Sequence, residues 1–264
     1  MSSAARASTP AVSQHPGQQR QPSALPQRLA SLWDDFQAAD PTAIHEVRKL
    51  TRRAAAEAQV SGLKGGVRRE WRDLRRAAAP LRDHDAAGEH LRAALHELDA
   101  SPTALTRFER AWSRRRAELL RQRPLPARPP RGYNLPADWQ KKARKALKKD
   151  RRALLKQGKV LMKGAGSDDA EAWHTWRKQM KRYRYTLELS GKAPREVRDM
   201  LDLLGRVQDA EVLLELLGSE DAAFSKTHRA ALQERELQAQ AQARAEAHRQ
   251  WPRLKKHLQE AGES

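Results

Sequence analysis

The segment HEVRKLTRRAAAEAQV, residues 45–60, decides the fold. Stepping about 100° per residue from His45 places Arg48, Lys49 and Arg52 on its face of a helix. Val47, Leu50, Ala54 and Ala58 collect on the opposite face. An apolar stripe backing a cationic one at helical period is an amphipathic helix, not a strand. The phrase returns 129 residues later as HTWRKQMKRYRY, residues 174–185. There Arg177, Lys178 and Lys181 share the face of His174, while Trp176, Met180, Tyr183 and Leu187 face away. Tyr185 falls on the cationic side, where its hydroxyl can meet an anion.

The rest of the chain reads the same way. Apolar residues recur at helical spacing and no segment alternates with period two, so the fold class is all-α. A first helix is expected over about residues 25–38, and a second, capped by Asp40 or Thr42, carries the first motif to about Val60, where SGLKGG ends it. Further helices are expected from near Val67, from around Pro80, and over about 101–122. RPLPARPPRGYNLP, with five prolines and a glycine, reads as the internal linker, assigned to 124–136. A cationic helix is expected over about 137–162, then the second motif helix capped by Asp168 or Asp169. Shorter helices are expected over about 194–217, and a long polar one from about Ser225, kinked or broken at Pro252. The chain thus divides into a disordered Ser/Ala/Gln/Pro tail (1–24), a first helical half (25–123), the linker, and a second half (137–264).

Order and spacing relate the halves. Pro80-Leu81-Arg82-Asp83 aligns with Arg206-Val207-Gln208-Asp209, and the histidine-to-aspartate separation is 38 residues in one half and 35 in the other. Trp112 and Trp251 extend the correspondence weakly. Matching order argues for a duplicated helical unit.

Charge sets the partner class. With 52 Lys+Arg against 33 Asp+Glu, the 264-residue chain carries a formal net charge of +19. That excess repels itself and calls for a polyanion. There is no cysteine, hence no disulfide or thiolate metal site, and no apolar run nears the roughly 18 residues of a membrane span. A cytoplasmic protein is expected. Two more helices carry basic stripes: Arg68, Arg69, Arg72, Arg75 and Arg76 oppose Trp71 and Leu74, and Lys141, Lys145, Lys148, Arg152 and Lys156 oppose Ala143 and Leu154. A cationic helix face is ordinarily solvated surface. Like charges at i,i+4 nevertheless cost a few tenths of a kcal/mol per pair, and an anion lying along four such stripes would relieve them.

The two histidine-led phrases, with LRD at 81–83 and LGRVQDA at 204–210, resemble the CHAD domain, the conserved histidine α-helical domain. The resemblance covers roughly residues 26–258. Its first motif departs from the pattern, with Ala54-Ala55-Ala56 where the second has the Arg-Tyr ending. The resemblance implies two pseudo-symmetric helical bundles with a basic channel or groove, inorganic polyphosphate as ligand, and location at polyphosphate granules. No catalysis and no cofactor are expected. Transferred by position, it places His45, Arg48, Lys49, Arg52 and Arg53 on one side of the ligand and His174, Arg177, Lys178, Lys181, Arg182 and Tyr185 on the other. Arg72, Arg75 and Arg76 are added contacts, with Lys141, Lys145 and Lys148 beyond them.

Three rival readings follow from the residues. A nonspecific nucleic-acid binder shares the electrostatics, so nucleic acid is expected as a weaker competitor; but aromatics are only 5% and most tryptophans sit at apolar helical positions, leaving few stacking platforms. A metal-dependent phosphate-ester or phosphoanhydride enzyme could draw on Asp83, His84, Asp85, Glu89 and His90 in LRDHDAAGEH, although their spacing is no known ligand pattern. A membrane-surface protein is weaker, because the apolar faces match one another as a bundle core.

Overall fold

The computed structural model describes residues 21–164, 169–219 and 223–261. The fold is all-α. After β1 (Gln21–Pro22), two short helices, α1 (Leu25–Ala30) and α2 (Trp33–Gln37), lead into the first motif helix, α3 (Pro41–Ser61). Helices α4 (Gly65–Glu97) and α5 (Pro102–Gln122) complete the first half. The proline-rich segment contains β2 (Asn134–Leu135), antiparallel to β1. Then come α6 (Trp139–Leu161), the second motif helix α7 (Ala170–Leu187), α8 (Arg195–Gly218) and α9 (Lys226–Glu260).

Local chemistry starts and stops both motif helices. Asp40 accepts from the Ala43 amide at 2.8 Å, with Pro41 in the first turn, and Asp169 does the same for Ala172 at 3.1 Å. Gly62 ends α3 in the left-handed region at φ 68°, a conformation costly for a side chain with a Cβ.

Four expected element boundaries are corrected. The helix expected over 25–38 is two helices. The Ser31 hydroxyl bonds the Arg28 carbonyl, which a continuing helix would offer to the Leu32 amide, and that amide turns to the Leu29 carbonyl instead. The expected break at Pro80 is absent, and α4 runs through it. An interior proline costs about 3 kcal/mol. Trp71, Leu74, Ala78 and Leu81 straddle it in one core, and each large apolar side chain buried contributes about 1.5–3 kcal/mol, so burial wins. Pro252 likewise lies inside α9, flanked by buried Trp251 and Leu254. The segment 195–218 is one helix rather than several, because its buried positions from Val197 to Leu217 keep step without a breaker.

Three cores hold these elements. One, built on Ile44, Val47, Leu50, Trp71 and Leu74, belongs to the first half; another, built on Leu154, Trp176, Met180, Leu204 and Trp251, belongs to the second. The third joins Leu91, Leu95, Phe108 and Trp112 to Leu213, Leu217, Phe224 and Leu232, so the halves share a core. Beside it Glu236, fully buried on α9, meets Arg206 at 2.7 Å, Arg235 at 2.6 Å and His90 of α4 at 3.0 Å. Burial alone would push its carboxyl up, but bonds from His90 and Arg206 outweigh that and hold it at about 2.

The proline-rich segment docks on the first half. Arg131 pairs with Glu70 at 2.7 Å, its carbonyl accepts from the Trp71 indole at 3.1 Å, and the Tyr133 hydroxyl donates to Glu57 at 2.8 Å. Ser23 donates to the same Glu57 carboxylate at 2.7 Å, so residues 21–24 of the expected disordered tail are part of the fold. The first 20 residues lie outside the described part.

Candidate functional site

The two motif helices meet. Between α3, α4 and α7 lies a cavity of about 610 Å³. Arg52 enters it from the first motif, Arg68, Arg72 and Arg75 from α4, and Lys178, Lys181, Arg182 and Tyr185 from the second motif. That is seven cations, and no carboxylate among the described residues lines the space. Thr51 and Gln59 add polar groups, and Trp71 forms part of the wall.

The floor is made by Ala54, Ala55, Ala56 and Ala58. These include the three alanines by which the first motif departs from the second. Their small side chains leave the volume into which Arg182 and Tyr185 project from the facing helix.

A layer of charge lies beneath the cations that line the cavity. Arg48 is 13% exposed; it donates to the Arg75 carbonyl at 3.1 Å and sits 3.6 Å from Asp83. Arg177 is drawn toward Asp209 and repelled by Arg52. Arg182 is held by the buried carboxylate of Asp150, with an Nε–Oδ2 bond of 2.9 Å. Lys181 lies where these fields converge. Burial, then Arg177 and Arg52, press its ammonium down to about 7, and Asp209 only partly opposes them. The free cavity is therefore overloaded with positive charge.

Each motif histidine interacts with the residue that precedes the aligned aspartate, by repulsion in the first half and by a bond in the second. His45 feels Arg82, and the His174 Nδ1 bonds the Gln208 side chain. Burial first, then Arg82 and Lys49, lower His45 below its usual range and favour the neutral imidazole. Neither histidine lines the cavity.

Of the residues expected at a site, the cavity gathers Arg52, Arg72, Arg75, Lys178, Lys181, Arg182 and Tyr185. Arg48 and Arg177 lie behind it, Lys49 pairs with Glu46 at 2.6 Å, Arg53 is half-buried outside it, and Arg76 is exposed. Lys141, Lys145 and Lys148 are exposed on α6 and do not line the cavity. Arg68 lines it without having been assigned there, although it sits in the α4 stripe that the sequence displays.

LRDHDAAGEH disperses its acids and imidazoles. His84 is buried, stacked on Trp112 at 4.3 Å, and its Nε2 faces the Trp112 carbonyl at 3.1 Å. Asp85 pairs with Arg116 at 2.6 Å, and His90 turns to Glu236. No group of three His, Asp or Glu able to hold a metal ion is formed among the described residues. No helix among them is long and apolar enough to cross a membrane.

These features define an all-α protein with a cation-lined cavity between two histidine-led helices. The chain belongs to the CHAD domain family, whose model matches residues 23–202. Its fold is shared with a solved structure, PptA from Streptomyces chartreusis, at 16% identity and a TM-score of 0.51, covering 91% of this chain and 96% of the other. No curated protein matches the chain in sequence.

Proposed function

We propose that this protein binds inorganic polyphosphate in the cavity between α3, α4 and α7, as a binding module without catalysis of its own, and that it associates with polyphosphate granules. The observation that carries the reading is a lining of seven cations with no carboxylate among the described residues. Two halves supply it, so a chain ligand engages both motif helices at once. Arg52, Arg72, Arg75, Lys178, Lys181 and Arg182 are the phosphate contacts, Tyr185 donates a hydroxyl, and Arg48 and Arg177 position them. Family membership supplies the ligand class that the motif resemblance implies. Trp71 is the sole Trp, Phe or His in the lining among the described residues and is 4% exposed, which favours a phosphate chain without bases over nucleic acid.

The test is a titration of long-chain polyphosphate and of double-stranded DNA at one fixed salt concentration, on the wild type and on R52Q/R75Q/K178Q/K181Q. Polyphosphate should bind more tightly. The variant should lose affinity, and its log–log salt slope should flatten by about 3, borrowing roughly 0.7 per neutralised charge from single strands. Circular dichroism confirms the fold. An unchanged slope, or tighter DNA binding, overturns the proposal.

A further inference from the structure

Helix α5 carries a second cationic face that neither motif contains. Measured from Trp112, which packs toward α4, Arg107, Arg110, Arg114 and Arg121 lie within about 40° of the opposite direction. They span 14 residues, about 21 Å of helix. These arginines border a shallow trough of about 700 Å³ floored by Ala111 and Ala117. The trough shares no lining residue with the cavity between the motif helices.

Its composition selects a ligand. Arg121 is paired with Glu118 at 2.7 Å, and that glutamate is the one carboxylate in the lining among the described residues. Arg107, Arg110 and Arg114 have no carboxylate partner among the described residues. At i, i+3 and i+7 they repel one another along one helix face. Helix α5 contains six arginines and no lysine, whereas the outer face of α6 is mostly lysine. Guanidinium forks match phosphate oxygens two at a time. Among the described residues no aromatic side chain lines the trough to stack a base, and no large apolar one forms a pocket to anchor a protein side chain.

We propose that the outer face of α5 is a second phosphate-chain site. One molecule then holds two stretches of polyphosphate, on one chain or on two. The identity of the ligand rests on the reading of the cavity given above.

The experiment uses end-labelled long-chain polyphosphate and the full chain in four forms: wild type, the cavity variant R52Q/R75Q/K178Q/K181Q, R107Q/R110Q/R114Q, and the combination. Gln matches Arg closely in helix propensity, so exposed changes on α5 preserve the helix. The cavity variant should keep a weaker, salt-sensitive affinity. Adding the α5 changes should lower that residual affinity at least tenfold and flatten its slope by about 2. If the combined variant binds as the cavity variant does, or if the cavity variant binds nothing, the second site is overturned while the cavity reading stands. If the wild type binds no polyphosphate, both fall. Single-stranded RNA of matched charge forms a parallel arm. Should the α5 changes weaken RNA binding and leave polyphosphate untouched, the ligand assignment is overturned.

Discussion

The guanidinium of Arg48, on the first motif helix, donates to the main-chain carbonyl of Arg75 at 3.1 Å, in the turn of α4 that precedes Pro80. Proline has no amide proton for the carbonyl four residues back, that of Arg76, next to the one Arg48 meets, and its ring crowds the same turn. A motif arginine thus braces the helix that carries Arg68, Arg72 and Arg75 into the cavity.

Arg48→Ala should therefore act on stability as well as on binding. Removing the largely buried guanidinium takes away its hydrogen bond to the Arg75 carbonyl, while Asp83, 66% exposed, passes to water; the lost charged bond costs about 1.5–3 kcal/mol. At roughly 2–4 °C per kcal/mol, the melting temperature of the free protein should fall by several degrees. R52Q, a change within the cavity lining, should weaken polyphosphate binding with little loss of melting temperature. Thermal unfolding and titration of the same two variants separate bracing from contact; equal melting temperatures would put Arg48 among the direct contacts.

Lys181 sets the pH response. Its ammonium is pressed down to about 7 in the folded protein, against an ordinary value near 10.4. Between those values the unfolded chain holds more protons than the folded one, so the free protein should gain stability as pH rises from about 7 to 10. A bound polyanion reverses the preference, because it favours the ammonium and draws a proton in. Polyphosphate affinity should accordingly fall as pH rises through 7. Lys181→Met should raise the melting temperature of the free protein at pH 7, weaken binding, and remove most of this pH dependence. Melting curves and titrations across pH 6 to 9 check it. A pH profile that survives Lys181→Met but vanishes in H45Q/H174Q would return the switch to the histidines.

Much of this was legible in the sequence because helical period is a local property. His45 to Arg52 and His174 to Lys181 repeat one spacing, and the caps at Asp40 and Asp169 announce both helices. What was not legible depends on contacts distant in sequence. Pro80 reads as a break, and Pro252 as a kink or a break, because nothing nearby says that the turns beside them are buried. The histidines share the cationic side of their helices and so look ligand-facing; in the fold Gln208 of α8 bonds His174, while Arg82 of α4 only opposes a charge on His45. The lysines of α6 have the right charge and period, but the lining of the cavity is supplied by α3, α4 and α7. The Ala54-Ala55-Ala56 run looked like a weaker motif until the fold showed it as the floor.

Two glycines record close helix packing. A methyl group added at Gly88 would collide with the Trp112 indole, and one at Gly158 with the ring of Trp251, itself edge-on to Trp176 at 5.9 Å. Ala is the better helix former by about 1 kcal/mol, so a free site would be stabilised by the exchange. Gly88→Ala and Gly158→Ala should instead each destabilise by about 1–3 kcal/mol, because rigid rings in filled cores must move. Denaturant midpoints measure it. A gain in stability at either position would show that the tryptophan can step aside.

Ala55 offers a test of the cavity that leaves every charge in place. It lies on the floor, its side chain is exposed, and the neighbouring Ala54 and Ala56 are buried. Ala55→Trp fills the space beneath Lys178, Lys181 and Tyr185 while the net charge stays at +19. A ligand held only by the summed field of the surface would not notice, since that field depends on charge and not on shape. A phosphate chain seated between the motif helices would be displaced. Polyphosphate affinity should fall at least tenfold, about 1.4 kcal/mol, with the melting temperature within a few degrees of wild type. Ala55→Ser, which adds little volume, should bind as the wild type does. If Ala55→Trp binds polyphosphate at full strength, the ligand rides on the outer faces of α5 and α6, and the convergence of the two motifs serves the fold alone.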